Sequence, residues 1–447
     1  MLGLGLALTN FGSRGGVADI ADGVSSAALL LAAYGPYGVV MDYTDASIAI
    51  VDSTHALDFS SKGDVSSGAL VGPAAKLTYA APSPKLLEQA DGVQRYNSHN
   101  LYLNNTVPAN QSITVVSGAS YKIRVTGTVS IALSGATSGT VTAGSPVSFT
   151  AATATLTCGS TSGSGRVYLY RTPCNEDGVD TAGTTLYAHP YRWSGGVRQG
   201  LEIEPQATNL FLNNTTGATQ SITVTAQAYT LSFYGTGTIT LSGASTAGPL
   251  VGSGASTRVS LTFTPSAGTL TCTVSGSCAD VQLEAGPIAT SVIQTYGSAV
   301  VRAADVLSLI TSLFPYDGTL GTLFVDVTFK DVTGVSRGLV STNNSDGRQI
   351  VQFSNIVFSQ DGTTQLNYGT ITASRTSIAL SYGGGARSLS RNGTMDVTNG
   401  AFDGAFGGSG ILYIGSTGGV NILIGTIHRI GYFTTKASNA VLPTIGA

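Results

Sequence analysis

From residue 46 onward, apolar and polar positions alternate with a period of two in run after run. That pattern predicts β-strands with one buried face. Ala46 to Val51 and Lys76 to Tyr79 show it first, and Ser112 to Val116, Tyr121 to Val125 and Val147 to Thr150 follow with glycine-bearing turns between them. Further on, Thr322 to Phe329, Ile378 to Tyr382, Leu412 to Gly415 and Ile427 to Tyr432 alternate again. Val17 to Ala33 is different: it is Ala/Leu-rich, carries Asp19 and Asp22 near its start and stops at Gly35-Pro36. A helix is expected there, its early acids complementing the helix dipole.

One stretch occurs twice. Leu103-Asn104-Asn105 with Gln111-Ser112-Ile113-Thr114-Val115 returns as Leu212-Asn213-Asn214 with Gln220-Ser221-Ile222-Thr223-Val224. The copies stay aligned through Tyr121 and Tyr229, Leu133-Ser134-Gly135 and Leu241-Ser242-Gly243, and Cys158 and Cys272. A unit of about 70 residues built from short alternating strands is the size of a small β-sandwich. The fold class expected is therefore mostly β: tandem antiparallel sandwiches, two small and one larger, behind a short helical arm. The segments are an arm for docking or oligomerisation (1–45), a β-rich lead-in (46–100), a first repeat (101–172), an aromatic connector (173–210), a second repeat (211–298) and a larger last module (299–447). The arm reads equally as a helix packed on the protein's own first sheet.

Composition narrows the partners. Charged residues are 10% of the 447, the formal net charge is −3 and no Lys/Arg cluster occurs, so no nucleic-acid footprint exists. The longest apolar run, Ala27 to Tyr34, is too short to span a membrane, which takes about 20 residues. No basic residue precedes the apolar N-terminus, which argues against a secretory signal. Cys158, Cys174, Cys272 and Cys278 have no zinc-like spacing. A hairpin turn at Val274 to Ser277 would set Cys272 and Cys278 on facing strands, which predicts a cross-strand disulfide. Cys158 and Cys174 would form the equivalent bridge, or either would bond a neighbouring chain. Unbonded thiols in small cores are the alternative.

The connector gathers Tyr187, His189, Pro190, Tyr191 and Trp193 within seven residues. Aromatic faces there would stack on a sugar ring, or Trp193 would plug the space between modules.

Several segments resemble tailed-bacteriophage virion proteins of the fibre and accessory type. They are Leu77 to Lys85 leading to Ser98-His99-Asn100-Leu101, Ile203 to Leu210, Val281 to Gly286, and Val301 to Asp305. In that family such segments frame carbohydrate-binding-module-like sandwiches. The last module is similar to a concanavalin A-like (laminin G-type) lectin domain, through Leu412-Tyr413-Ile414-Gly415, Gly425 to Phe433 and Ser438 to Leu442. The resemblance implies a virion location on the particle surface, a homo-oligomer, other virion proteins as partners and contact with host surface polysaccharide. Two roles are open: a fibre, collar or decoration scaffold, and a glycan-binding adhesin. The adhesin would use Tyr316, Tyr368, Tyr382 and Arg387, with Tyr191 and Trp193 on the connector.

Catalysis is not expected. Only Glu88, Glu176, Glu202, Glu204 and Glu284 occur, none in the last module, so a glutamate pair facing across a cleft is missing there. A polysaccharide depolymerase is thus the weakest reading. Gly334-Val335-Ser336-Arg337-Gly338 has the nucleophile-elbow spacing, but no helical pattern follows it. The four histidines, His55, His99, His189 and His428, sit in separate segments. No cofactor is required. Calcium is the one metal to consider, with Asn343, Asn344, Asp346 and Asp361 as loop oxygens, against ordinary turn chemistry for the same residues.

Overall fold

The computed structural model describes residues 38–42, 47–51, 77–80, 83–176, 180–181, 186–187, 190–313, 316–342, 349–362, 364–406 and 410–445. The helix expected over Val17 to Ala33 lies outside them. Among the described residues the regular structure is antiparallel β-sheet with two short 3-10 turns, Thr311–Leu313 and Leu442–Thr444.

The repeats fold alike. In the first, Gly139–Thr142, Ser130–Gly135, Thr155–Ser162 and Gln111–Thr114 form a sheet in that order, facing a sheet of Val147–Thr150, Ser120–Val125 and Val167–Arg171. In the second, Leu250–Val251, Thr238–Gly243, Gly268–Ser275 and Gln220–Val224 face Gly254–Phe263, Tyr229–Gly235 and Cys278–Ala285. Each strand's apolar alternation points inward, so Ile113, Tyr121, Ile123, Ile131, Leu156 and Leu169 fill one core. Ile222, Tyr229, Leu231, Ile239, Leu270 and Leu283 fill the other. Full burial of each such side chain is worth about 1.5–3 kcal/mol.

The repeated asparagines explain why the sequence kept them. Asn104 and Asn213 take φ of 50° and 49°, a left-handed conformation that asparagine tolerates. Gly135 and Gly243 also have positive φ, 86° and 80°, and a Cβ there would lie 2.5 and 2.4 Å from the carbonyl oxygens of Thr155 and Thr269. Asn100 and Asn209 are buried struts. Each side-chain amide donates to a carbonyl, Val167 or Val281, while its oxygen accepts from two backbone N–H groups.

The larger sandwich draws on distant parts of the chain. One sheet runs Tyr191–Ser194, Val197–Ile203, Gly425–Phe433, Gly321–Phe329, Arg375–Gly383, Ala386–Arg391 and Thr394–Ala401, with Gly38–Asp42 and Ser47–Val51 added beside Gly425–Phe433. The facing sheet runs Leu77–Ala80, Val306–Ile310, Ile411–Ile414, Ser336–Ser341, Ile350–Phe353, Ile356–Asp361 and Thr364–Thr370. Strands from the lead-in and the connector therefore complete the last module. Leu201, Ile203, Leu307, Leu323, Val325, Leu380, Leu412 and Ile427 meet in its core. The segment ending in Leu442 and Ile445 covers Phe324, Ala379 and Phe433 on the outer face of the first sheet.

The expected disulfides are not formed: no bond joins Cys272 to Cys278 or Cys158 to Cys174. The turn between Gly268–Ser275 and Cys278–Ala285 is not a hairpin. It carries the chain from one sheet of the second repeat to the other, so the two cysteines share no strand ladder. Cys158 and Cys272 instead occupy equivalent places in the two cores, where burial pushes both thiols up to about 12.

Candidate functional site

The residues expected to touch a glycan divide into two groups. Tyr368, Tyr382 and Arg387 are buried, and Tyr316 packs against the same core. Tyr382 sits edge-on to Phe406, 4.8 Å between ring centres, and its hydroxyl donates to the Asp317 carbonyl at 2.8 Å. Tyr316 meets Tyr432 at 5.2 Å. Arg387 is 0% exposed, donates to Ser359 and the Thr364 carbonyl, and pairs with Asp361 at 3.0 Å. Burial raises the Asp361 carboxyl despite the nearby Arg387 charge. Tyr316 is partly exposed, whereas the three buried side chains cannot lie against a sugar on the surface. They brace the space between the sheets. Asp361, the calcium candidate, is already engaged by Arg387 and by the Asp403 N–H, at 2.9 Å. Asn343, Asn344 and Asp346 lie outside the described residues, and no group of three or more metal-binding side chains occurs among the described ones.

The connector aromatics lie on the edge hairpin of the nine-stranded sheet, and both are partly exposed. Between them stands Arg198, its guanidinium carbon 4.5 Å from the Tyr191 ring centre and 4.9 Å from that of Trp193. The strand pairing causes this: Trp193 is registered with Arg198 across the hairpin, beside a bulge at Arg192. Residues 188 and 189 lie outside the described residues, as does the side chain of residue 187.

The outer face of the same sheet assembles acid–base groups that the sequence kept apart. Asp326 accepts from Arg375 at 3.0 and 2.6 Å and from Arg429 at 3.1 and 2.9 Å. Burial opposes ionisation of Asp326, but the Arg375 hydrogen bonds and the Arg429 charge outweigh it and hold the carboxyl below its ordinary value. His428 donates from Nδ1 to the Gln199 carbonyl, which leaves Nε2 to accept from the Thr328 hydroxyl at 2.7 Å. Burial keeps this imidazole below its ordinary pKa. Glu202 is bound by Lys330 and by the Thr426 hydroxyl, at 2.8 Å. Arg192, half exposed, lies 3.7 Å away.

Next to this face is a buried polar site, the joint where lead-in, connector and the Val300 to Asp305 segment meet. Lys85, Glu204, Arg302 and Asp305 are all buried there. The three ammonium hydrogens of Lys85 have three acceptors: the Glu202 carbonyl at 2.9 Å, Glu204 at 3.2 Å, and Asp305. Asp305 also accepts from the Tyr79 hydroxyl at 2.6 Å and the Glu204 N–H at 2.8 Å. Arg302 binds the Pro205 carbonyl at 2.7 Å and lies 3.6 Å from Glu204. Glu204 in turn accepts from the N–H and hydroxyl of Ser291, at 2.8 and 2.7 Å, which ties in the second repeat. Burial would raise Glu204, yet Lys85 and Arg302 hold it well below its ordinary value. Such carboxylates are occupied in holding segments together. Glu202 and Glu204, two residues apart, serve separate cations, Lys330 and Arg192 for the first and Lys85 and Arg302 for the second.

Sequence reasoning did not anticipate Lys85, Arg302 and Asp305 as a unit. The available signal was charge placed beside strand ends in a chain with very little charge.

No family model and no curated protein sequence matches the chain. Solved structures do resemble parts of it. One is the CBM40 module of a Ruminococcus gnavus IT-sialidase bound to α2,3-sialyllactose, at 14% identity and TM-score 0.24, covering 28% of this chain and 82% of that one. Another is domain 4 of AbnA, a GH43 extracellular arabinanase from Geobacillus stearothermophilus, in complex with arabinotriose, at 12% identity and TM-score 0.26, covering 32% and 73%. A third is the binding domain of botulinum neurotoxin DC in complex with rat synaptotagmin II, at 7% identity and TM-score 0.25, covering 32% and 39%. At such scores the likeness assigns this chain neither ligand nor activity.

Proposed function

We propose that this chain is a non-enzymatic structural protein of a tailed-phage particle, of the fibre, collar or decoration type, which holds β-sandwich modules rigidly at the surface. The observation that carries the reading is the buried ionic joint. A chain of modules on free linkers has no need to bury Lys85, Glu204, Arg302 and Asp305 together, whereas a load-bearing display element does. Such a cluster costs desolvation and rewards only one arrangement of the segments, so it specifies geometry more than it adds stability. The phage setting rests on the sequence resemblance. Repeated copies in an oligomer would then convert weak surface contacts into avidity through effective concentration.

A second reading, a host-glycan adhesin, draws on the outer face of the nine-stranded sheet. Arg375 is 55% exposed there beside a fixed carboxylate, and the hairpin carrying Tyr191 and Trp193 forms the sheet's edge. Antibody–gold labelling of intact particles separates the two. Label along capsid, neck or collar supports the scaffold. Label at distal fibre tips, with host binding lost in Trp193→Ala and Arg375→Ala, supports the adhesin. Absence of label on any particle refutes the virion setting.

A further inference from the structure

At the inner side of the joint, two arginines from different parts of the chain line one small cavity. Arg171 closes the strand Val167–Arg171 of the first repeat, and Arg302 closes Val300–Arg302. They are 7% and 3% exposed. The cavity, about 20 Å³, has room for one water-sized body and is lined also by Ser83, Tyr96 and Gln294. In both arginines the Nε atom is buried with no hydrogen-bond acceptor.

The charges do not balance. Arg302 has Glu204 at 3.6 Å. Among the described residues no carboxylate pairs with Arg171. Its contacts are the Gln294 carbonyl at 3.3 Å and the ring faces of Tyr96 and Tyr296, at 4.9 and 5.8 Å. Of the nearby acids, Glu204 and Asp305 are held by Lys85, while burial raises the Asp280 carboxyl against the Arg258 charge and a Gln294 hydrogen bond. A buried guanidinium with only dipoles and ring faces around it is a costly arrangement unless an anion joins it.

We propose that this cavity binds a small monovalent anion of the chloride class, held between Arg171 and Arg302, and that the ion couples the first repeat to the rest of the molecule. Two buried arginines lining a space of this size favour a small anion over a bulky one. The space takes a whole chloride or bromide but not a whole sugar acid or phosphate ester. The inference stands whether the protein is scaffold or adhesin.

The test is thermal unfolding of the full chain at constant ionic strength as sodium gluconate is replaced by sodium chloride. The expected result is a saturable rise of the midpoint with chloride, reproduced by bromide and abolished in Arg171→Gln. A non-specific salt effect would instead be linear and would persist in the variant, and that outcome overturns the proposal, as do superimposable chloride and gluconate curves. Should Arg171→Gln fail to fold, the anomalous signal of bromide in crystals of the unaltered protein decides. A peak between the two guanidinium groups supports the site, and an empty or uncharged cavity refutes it.

Discussion

In the first repeat, the outward face of the three-stranded sheet is closed by aromatic rings and cations. Tyr168 and Tyr170 stack at 6.1 Å, and Arg124 lies 4.2 Å over Tyr168. In the second repeat, the matching positions are Gln282, Glu284 and Ser232, and the Thr290 to Ile293 segment covers them. Glu284 accepts from Gln282 and from the N–H and hydroxyl of Thr290, while the Gln282 oxygen accepts from the Ile293 N–H. Underneath, the skeletons coincide. Gln111 and Gln220 each clamp the backbone of a leucine, Leu103 or Leu212. Thr181 and Thr295 each bond to a paired asparagine, Asn105 or Asn214. Duplication thus kept the groups that satisfy the shared buried backbone, while the outer sheet face took a different covering in each copy, each with its own buried contacts.

The divergence carries a difference in acid–base behaviour. His99, whose counterpart is Thr208, donates from Nδ1 to the Asn97 carbonyl and accepts the Arg171 N–H at Nε2, both at 2.8 Å. Burial drives this histidine down to about 4. In the second repeat burial raises Glu284 above its ordinary value, its hydrogen bonds notwithstanding.

The largest test of how far the repeats are independent is to cut the joint. Asp305→Ala leaves Lys85 short of an acceptor, and breaking a buried pair in this way costs about 3–5 kcal/mol. Urea unfolding should show a lowered midpoint, with both repeats then melting separately. An unchanged midpoint would mean that the joint ties nothing.

Next, Asn100→Ala and Asn209→Ala compare the shared struts, each leaving several buried backbone groups unpaired at about 1–3 kcal/mol per group. Asn209 also donates to the Ile293 carbonyl at 2.9 Å, so its loss should be the greater. Hydrogen exchange resolved by segment checks the order, and a larger loss at Asn100 contradicts it.

Acidification should then separate the repeats by sign. A histidine depressed in the folded state stabilises above its unfolded pKa of about 6.5, and that contribution, about 3 kcal/mol, is lost as pH falls through the folded value. The first repeat should loosen between about pH 6.5 and 4. Glu284 works the other way: a carboxyl raised in the folded state favours folding at low pH, and this is lost as pH rises through its folded value. Exchange rates in the two repeats should diverge on acidification, and His99→Thr should flatten the response of the first. Parallel responses in the unaltered protein would discard the account.

The smallest effect is expected from the thiols. Reductant should leave unfolding unchanged, and Cys158 and Cys272 should resist thiol reagents in the folded protein while reacting in urea. Rapid native labelling of either would contradict the buried placement.

Much of this was legible in the alternation of side chains, since period two marks a strand and its buried face. The same alternation held a warning about the proposed glycan contacts. Tyr382 is in phase with Ile378 and Leu380, and Arg387 with Leu389, so both belong to the core side of their strands. Aromatic and basic identity suggests exposure there, but strand parity is the better guide. Strand partners were not legible. The lead-in strand Leu77–Ala80 gives no hint that Val306–Ile310 will lie beside it, because pairing is decided by packing between distant segments. For the same reason Lys85, Glu204 and Asp305 read as isolated charges until the sheets brought them together.

The strand order has a consequence for synthesis. Gly38 pairs with Phe433 and Leu77 with Leu309, while both repeats are complete in the interval. At about 5–20 residues per second, the first strands wait on the order of tens of seconds on the ribosome before their neighbours exist. The repeats can close as they emerge, but the larger sandwich must be finished last, around two domains already folded. Until then its early strands present open edges, the part of any sheet most prone to pairing with the wrong chain.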